Sequence, residues 1–151
     1  MKSIQVIEYA PKLFRDIRKA SGISSIFFLK SFLPALNFQA IHNFFTGTGK
    51  SSSLFFFTDN KFFVLKTLKE EEKTLLLNKG ILNNYFNHLM INKNSLLGRY
   101  YGVYTIKVPS MGDLHFIIMN NIIGLDFMST FRIYDLKGST FKRKVQLSNL
   151  E

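Results

Sequence analysis

The sequence predicts an α+β domain: a largely antiparallel sheet with flanking helices on one side. Two hairpins and the segments around them carry that prediction. Leu54-Phe55-Phe56-Phe57 and the run from Phe62 to Lys66 are separated by a polar turn at Asp59-Asn60, and read as two strands. Tyr100 to Val108 and Leu114 to Asn120 flank Pro109-Ser110-Met111-Gly112-Asp113, a turn-rich connection between two further strands. The remaining segments show helix starts and stops. With 151 residues, 46% hydrophobic and 20% charged, the chain has room for one cored domain over residues 1–151.

Taken in order, residues 1 to 34 read as two short helices. Pro11 suits the first helical position and Gly22 the end of that helix, while Lys12, Arg15, Arg18 and Lys19 give it a basic side. Ser24 or Ser25 caps the second helix, and Pro34 stops it. Residues 38 to 45 read as a first strand. From about 70 to 90 a leucine-rich helix is expected, interrupted at Gly80. Residues 92 to 98 form a polar turn, and Phe131-Arg132-Ile133-Tyr134 a last strand before Asp135-Leu136-Lys137-Gly138-Ser139-Thr140.

The stretch from Thr46 to Thr67 has the layout of a nucleotide-phosphate clamp. Glycine and small hydroxyl residues in the loop from Gly47 to Ser53 let backbone N–H groups approach phosphate oxygens. Lys66, the cation in an otherwise apolar strand, adds a point charge. In a kinase arrangement a glutamate on the following helix holds such a lysine; Glu72 is the expected partner and Glu71 the second choice. A Walker loop is the competing reading of Gly49-Lys50-Ser51. It requires a glycine where Phe44 stands and a helix where Leu54 to Phe57 form a strand. The bland reading is a hairpin connection with a solvated edge lysine.

Composition narrows the partners. There is no cysteine, which removes disulfides and thiolate metal sites, and the three histidines, His42, His88 and His115, have no metal-ligand spacing. A net charge of +10 favours a polyanionic partner: nucleotide, anionic membrane or nucleic acid. The aromatics are mostly Phe in apolar runs and not interleaved with Arg, which argues against nucleic acid. No apolar leader is visible, and the longest uncharged run, Ser31 to Gly49, is broken by polar residues and Pro34.

Five blocks in order resemble the phosphatidylinositol phosphate kinase family. Tyr9-Ala10-Pro11 with Phe14, Arg15, Arg18 and Gly22-Ile23 resembles its entry segment. Gly49-Lys50-Ser51 with Ser53 and the Phe run resembles its phosphate loop, and Val64-Leu65-Lys66-Thr67 its nucleotide-lysine strand. Tyr85, His88, Ser95-Leu96-Leu97 and Gly102 resemble the next block. Tyr134-Asp135-Leu136-Lys137-Gly138-Ser139-Thr140 with Arg143 resembles the family's heptad. The resemblance covers residues 7 to 143. Ser52 stands where the family usually has glycine.

The resemblance implies ATP-dependent phosphorylation of a phosphatidylinositol monophosphate, the 4-phosphate converted to the 4,5-bisphosphate. It implies that Lys66 contacts ATP phosphates and Glu72 orients it, with Lys137 as the third catalytic residue. Gly49, Lys50, Ser51 and Ser53 would cover the phosphates, and Met119, Asn121 and Ile122 would line the adenine pocket. Asp135, Lys137 and Gly138 would lie near the lipid head group. Magnesium, an anionic membrane surface met peripherally from the cytoplasm, and a possible homodimer through this lobe follow from the same resemblance. The family's catalytic loop, metal-binding aspartate and lipid-selecting loop are not among these residues. The chain is therefore expected to be a nucleotide-binding lobe that transfers no phosphate by itself. A rival expectation is a non-catalytic basic module that binds anionic membrane or dimerises.

Overall fold

The elements of the computed structural model, which describes residues 3–38, 45–46, 53–109 and 112–122, run in this order: β1 (Gln5–Tyr9), α1 (Pro11–Ala20), α2 (Ser25–Lys30), α3 (Pro34–Asn37), β2 (Phe45–Thr46), β3 (Leu54–Phe57), β4 (Phe63–Leu68), α4 (Glu70–Leu76), α5 (Lys79–Ile91), β5 (Tyr100–Val108) and β6 (Gly112–Asn120). The fold is α+β, as expected. Its described strands form one antiparallel sheet in the order β1-β5-β6-β4-β3-β2.

Local sequence explains most of the boundaries. Pro11 opens α1, and Gly22, at φ 74°, follows its end in a left-handed turn where the N–H of Ile23 returns to the Arg18 carbonyl. The Ser24 hydroxyl caps α2 by accepting the Phe27 N–H at 3.1 Å. Pro34 ends that helical stretch and also begins α3. The break expected at Gly80 lies earlier: Asn78 caps α5 by accepting the Gly80 N–H at 3.0 Å, so that glycine sits inside the helix's first turn.

Three expectations are corrected. The N-terminal region holds a strand, β1, before its helices; five residues at a sheet edge carry too little periodicity to be read against a helix start. Arg18 is not part of a solvated basic side. It is buried, donates to the Tyr101 carbonyl and lies 4.4 Å over the Phe28 ring. The helices also flank both faces of the sheet. Strand alternation puts Lys66 and Phe63 on opposite faces; α4 reaches Lys66 through Glu72, whereas α2 packs Phe28 on Phe63 with ring centroids 5.4 Å apart. Of the strand expected over 38 to 45 only Phe38 and Phe45 are described: Phe38 is not a strand residue but the helical C-cap of α3, and Phe45 opens β2. The strand expected near 131 to 134 lies outside the described residues.

The core joins these layers. Phe14 and Ile17 of α1, Phe28 of α2, Leu82 and Leu89 of α5, and Phe63, Val103, Ile117 and Ile118 of the sheet are all buried. Apolar burial of this kind, at roughly 25 cal/mol per Å², supplies the rigidity against which the polar site is held.

Candidate functional site

Lys66 lies in β4 between two partners, opposite Phe55 on β3 and Ile117 on β6. Alternation along the strand puts Val64 on the same face, and Val64 is paired with Met119. The ammonium thus rises from an apolar floor, with its side chain one-quarter exposed, and its Nζ lies 3.5 Å from Glu72 Oε1.

Glu72 is placed by the start of α4. Its other oxygen, Oε2, accepts the Lys69 N–H at 2.8 Å, satisfying one of the free donors of the first turn. Glu70, Glu71 and Glu72 all lie in that turn, where negative charge suits the helix end. The Lys69 N–H first, and then the Lys66 ammonium, hold the Glu72 carboxyl below the usual carboxylate range. An ion pair this exposed contributes about 0.2–1 kcal/mol. Its consequence is therefore orientation of Lys66 more than stability. The structure brings Glu72, not Glu71, to the lysine; Glu71 is exposed.

Among the other expected residues, Ser53 is buried directly before β3. Met119 is partly buried, facing Val64. Asn121 uses its backbone N–H on the Phe62 carbonyl at 3.0 Å and its side-chain amide on the Lys61 carbonyl at 2.8 Å. Both donors are thus engaged within the protein. Ile122 is 82% exposed. Gly49, Lys50, Ser51, Asp135, Lys137 and Gly138 lie outside the described residues.

The sequence reading passed over a second polar group on the same face. His115, paired with Leu68 across β4 and β6 and with Thr105 across the β5–β6 hairpin, is buried. Its Nε2 lies 2.7 Å from Glu70 Oε2, and its Nδ1 lies 2.7 Å from Thr105 Oγ1. The Thr105 hydroxyl also meets the Tyr9 hydroxyl at 3.0 Å. A signal was available: His115 stands two residues before Ile117, hence on the core-facing side of an alternating strand. Among the described residues no group of three His, Asp or Glu side chains suits a metal ion, and no helix is long and apolar enough to cross a membrane.

The sequence profile of the phosphatidylinositol-4-phosphate 5-kinase family matches residues 36–151. A probable phosphatidylinositol phosphate kinase of Dictyostelium discoideum is 36% identical over 93% of this chain and 19% of its own length. A phosphatidylinositol 4-phosphate 5-kinase of Schizosaccharomyces pombe is 34% identical over 91% of this chain and 18% of its own. The chicken phosphatidylinositol 4-phosphate 5-kinase type-1 beta is 32% identical over 95% and 25% respectively. The chain thus spans a quarter or less of each of these three relatives.

Proposed function

This chain belongs to the phosphatidylinositol-4-phosphate 5-kinase family, and from that premise we propose that it is the nucleotide-binding part of a lipid kinase. The reaction is transfer of the terminal phosphate of ATP to a phosphatidylinositol monophosphate, with the 4-phosphate as substrate and the 4,5-bisphosphate as product. Lys66 contacts the ATP phosphates and Glu72 keeps its ammonium aimed at them. Gly49, Lys50, Ser51 and Ser53 cover the phosphates. Met119, Asn121 and Ile122 border the adenine. Asp135, Lys137 and Gly138 lie toward the lipid head group, where Lys137 completes the catalytic set. Magnesium, when bound with ATP, neutralises charge on the phosphates; its ligands are sought outside the described residues.

The observation that carries this reading is the Lys66–Glu72 pair, which joins a central strand to the following helix at 3.5 Å. It presents a cation over an apolar floor, the chemistry that a triphosphate above an adenine pocket requires. The test is lipid phosphorylation by the protein at its native length, with Lys66→Met as the decisive variant. Activity unchanged by that substitution would overturn the assignment. The intact mass of the protein from its source cells, set against 17.5 kDa, determines which length to assay. On this reading the protein works at a cytoplasmic membrane surface, peripherally, and exposed Lys12, Arg15 and Lys19 of α1 suit an anionic lipid headgroup layer.

A second reading has its own observation. Among the described residues β1 ends the sheet and exposes Ile4 and Val6, an edge suited to antiparallel pairing with a second copy. Light scattering across a concentration series tests it. A dimer that Val6→Lys splits supports the pairing, and a monomer at every concentration removes it.

A further inference from the structure

α4 carries no fully buried side chain. Leu76 and Leu77 at its far end pack against the core, but its first turns meet the sheet through polar groups. Glu72 pairs with Lys66 of β4 at 3.5 Å, Glu70 with His115 of β6 at 2.7 Å, and the Lys73 ammonium sits 5.6 Å over the Tyr9 ring of β1. The Glu70–His115 contact is the shortest of the three, and its sheet end is buried away from water.

The imidazole is fixed at both nitrogens. If Nδ1 accepts from Thr105 Oγ1, Nε2 carries the proton and donates to Glu70. Thr105 is itself almost fully buried and shares a hydrogen bond with the Tyr9 hydroxyl. A line of contacts thus runs from β1 through β5 and β6 to the first residue of α4. Helix geometry gives it a mechanical consequence. Residues two apart point about 200° from one another around a helix, so Glu70 and Glu72 grip opposite flanks of α4. Leu76 and Leu77 anchor the far end of the helix; at its first turn, two grips on opposite flanks resist rolling about the axis more than either does alone.

We propose that His115 and Glu70 are positioning residues: their bridge fixes the roll of α4 and thereby keeps Glu72 within reach of Lys66, without either residue touching nucleotide. The inference rests on the assignment of Lys66 to ATP phosphates for its effect on binding, and on the contacts alone for its effect on the helix.

Both effects are measurable on the protein at its native length. Calorimetric titration with magnesium-ATP compares wild type with Lys66→Met, Glu70→Ala, Glu70→Gln, Glu72→Gln and the Glu70→Ala/Glu72→Gln double variant. Glu70 is exposed, and within α4 its carboxylate also meets the Lys73 ammonium at 2.8 Å and accepts from the Thr74 hydroxyl at 3.2 Å, so Glu70→Gln, which keeps an acceptor there, is the milder variant. Glu70→Ala is expected to weaken binding by about five-fold, the scale of coupling within one network, with Glu70→Gln, which still accepts from Nε2, within about two-fold of wild type. In the Glu72→Gln background Glu70→Ala should add nothing, because the group it positions is already gone; a purely structural role would give equal losses in both backgrounds. Equal losses, or no loss where Lys66→Met abolishes binding, overturn the proposal. If Lys66→Met binds as well as wild type, or wild type does not bind, the clamp assignment fails instead. The positioning role is then decided by hydrogen exchange: Glu70→Ala should speed exchange of the α4 amides about ten-fold and leave α5 unchanged. Unaltered α4 exchange overturns it whatever the nucleotide does.

Discussion

The ring of Tyr85 stacks on that of Tyr100, centroids 5.0 Å apart, while the Tyr85 hydroxyl accepts the Tyr100 N–H at 2.8 Å and donates to the Gly98 carbonyl at 2.7 Å. One side chain of α5 thereby satisfies two backbone groups at the entry to β5, and burial pushes its phenol upward in pKa.

Removal of that hydroxyl leaves both backbone groups without it. Tyr85→Phe is expected to destabilise the fold by about 1–3 kcal/mol, since a partly buried donor and acceptor lose their partner while the ring stack is kept. Urea unfolding measures it; an unchanged midpoint would show that water replaces the hydroxyl.

Gly102 is constrained by its neighbour. A Cβ there would lie 2.5 Å from Tyr104 Cε2 and 2.8 Å from its hydroxyl. Tyr104 stacks on Phe116 at 5.4 Å and donates to Glu8 at 3.1 Å. Gly102→Ala should displace that ring and cost about 1–3 kcal/mol, read as a lower urea midpoint with an unchanged slope.

The lowered pKa of Glu72 has a defined sign. Its folded value lies below the ordinary 4.5, so its contribution to stability is present above pH 4.5 and is lost as pH falls through the folded value. The stability gap between wild type and Glu72→Gln should therefore be widest above pH 5 and close in acid, as followed by thermal unfolding from pH 3 to 6. A gap independent of pH would show that the carboxylate is not held by Lys69 and Lys66.

On the lipid-kinase reading proposed above, Lys66→Met in the protein at its native length should lower kcat/KM for lipid phosphorylation by at least about 100-fold, close to 2.7 kcal/mol of transition-state stabilisation. Glu72→Gln, which only frees the lysine to wander, should cost about ten-fold. A larger loss from Glu72 than from Lys66 would reverse the two roles. Vesicles carrying phosphatidylinositol 4-phosphate serve as the substrate.

Contacts near in sequence were legible. The β3–β4 and β5–β6 hairpins follow from apolar runs around turn residues, and the pairing of Lys66 with Glu72 follows from a strand that leads directly into a helix. Long-range polar contacts were not. Arg18 reads as one more surface cation on a basic helix until Tyr101 and Phe28, from two other elements, close over it. His115 reads as an isolated histidine because its partners, Glu70, Thr105 and by extension Tyr9, are brought together only by the order of the sheet. Neither contact has a period or a spacing. Gly80 suggests a break, whereas the capping side chain of Asn78 decides where α5 starts.

The edge position of β1 and the seating of α1 bear on where a folding unit begins. The family profile starts at residue 36, yet the buried core side chains Phe14, Ile17 and Phe28 precede that point, and β1 covers the hydrogen-bonding edge of β5. A protein trimmed to the profile would retain Lys66, Glu72, His115 and Glu70 while exposing a bare strand edge beside an emptied core. Its failure in an assay would then report insolubility, not chemistry.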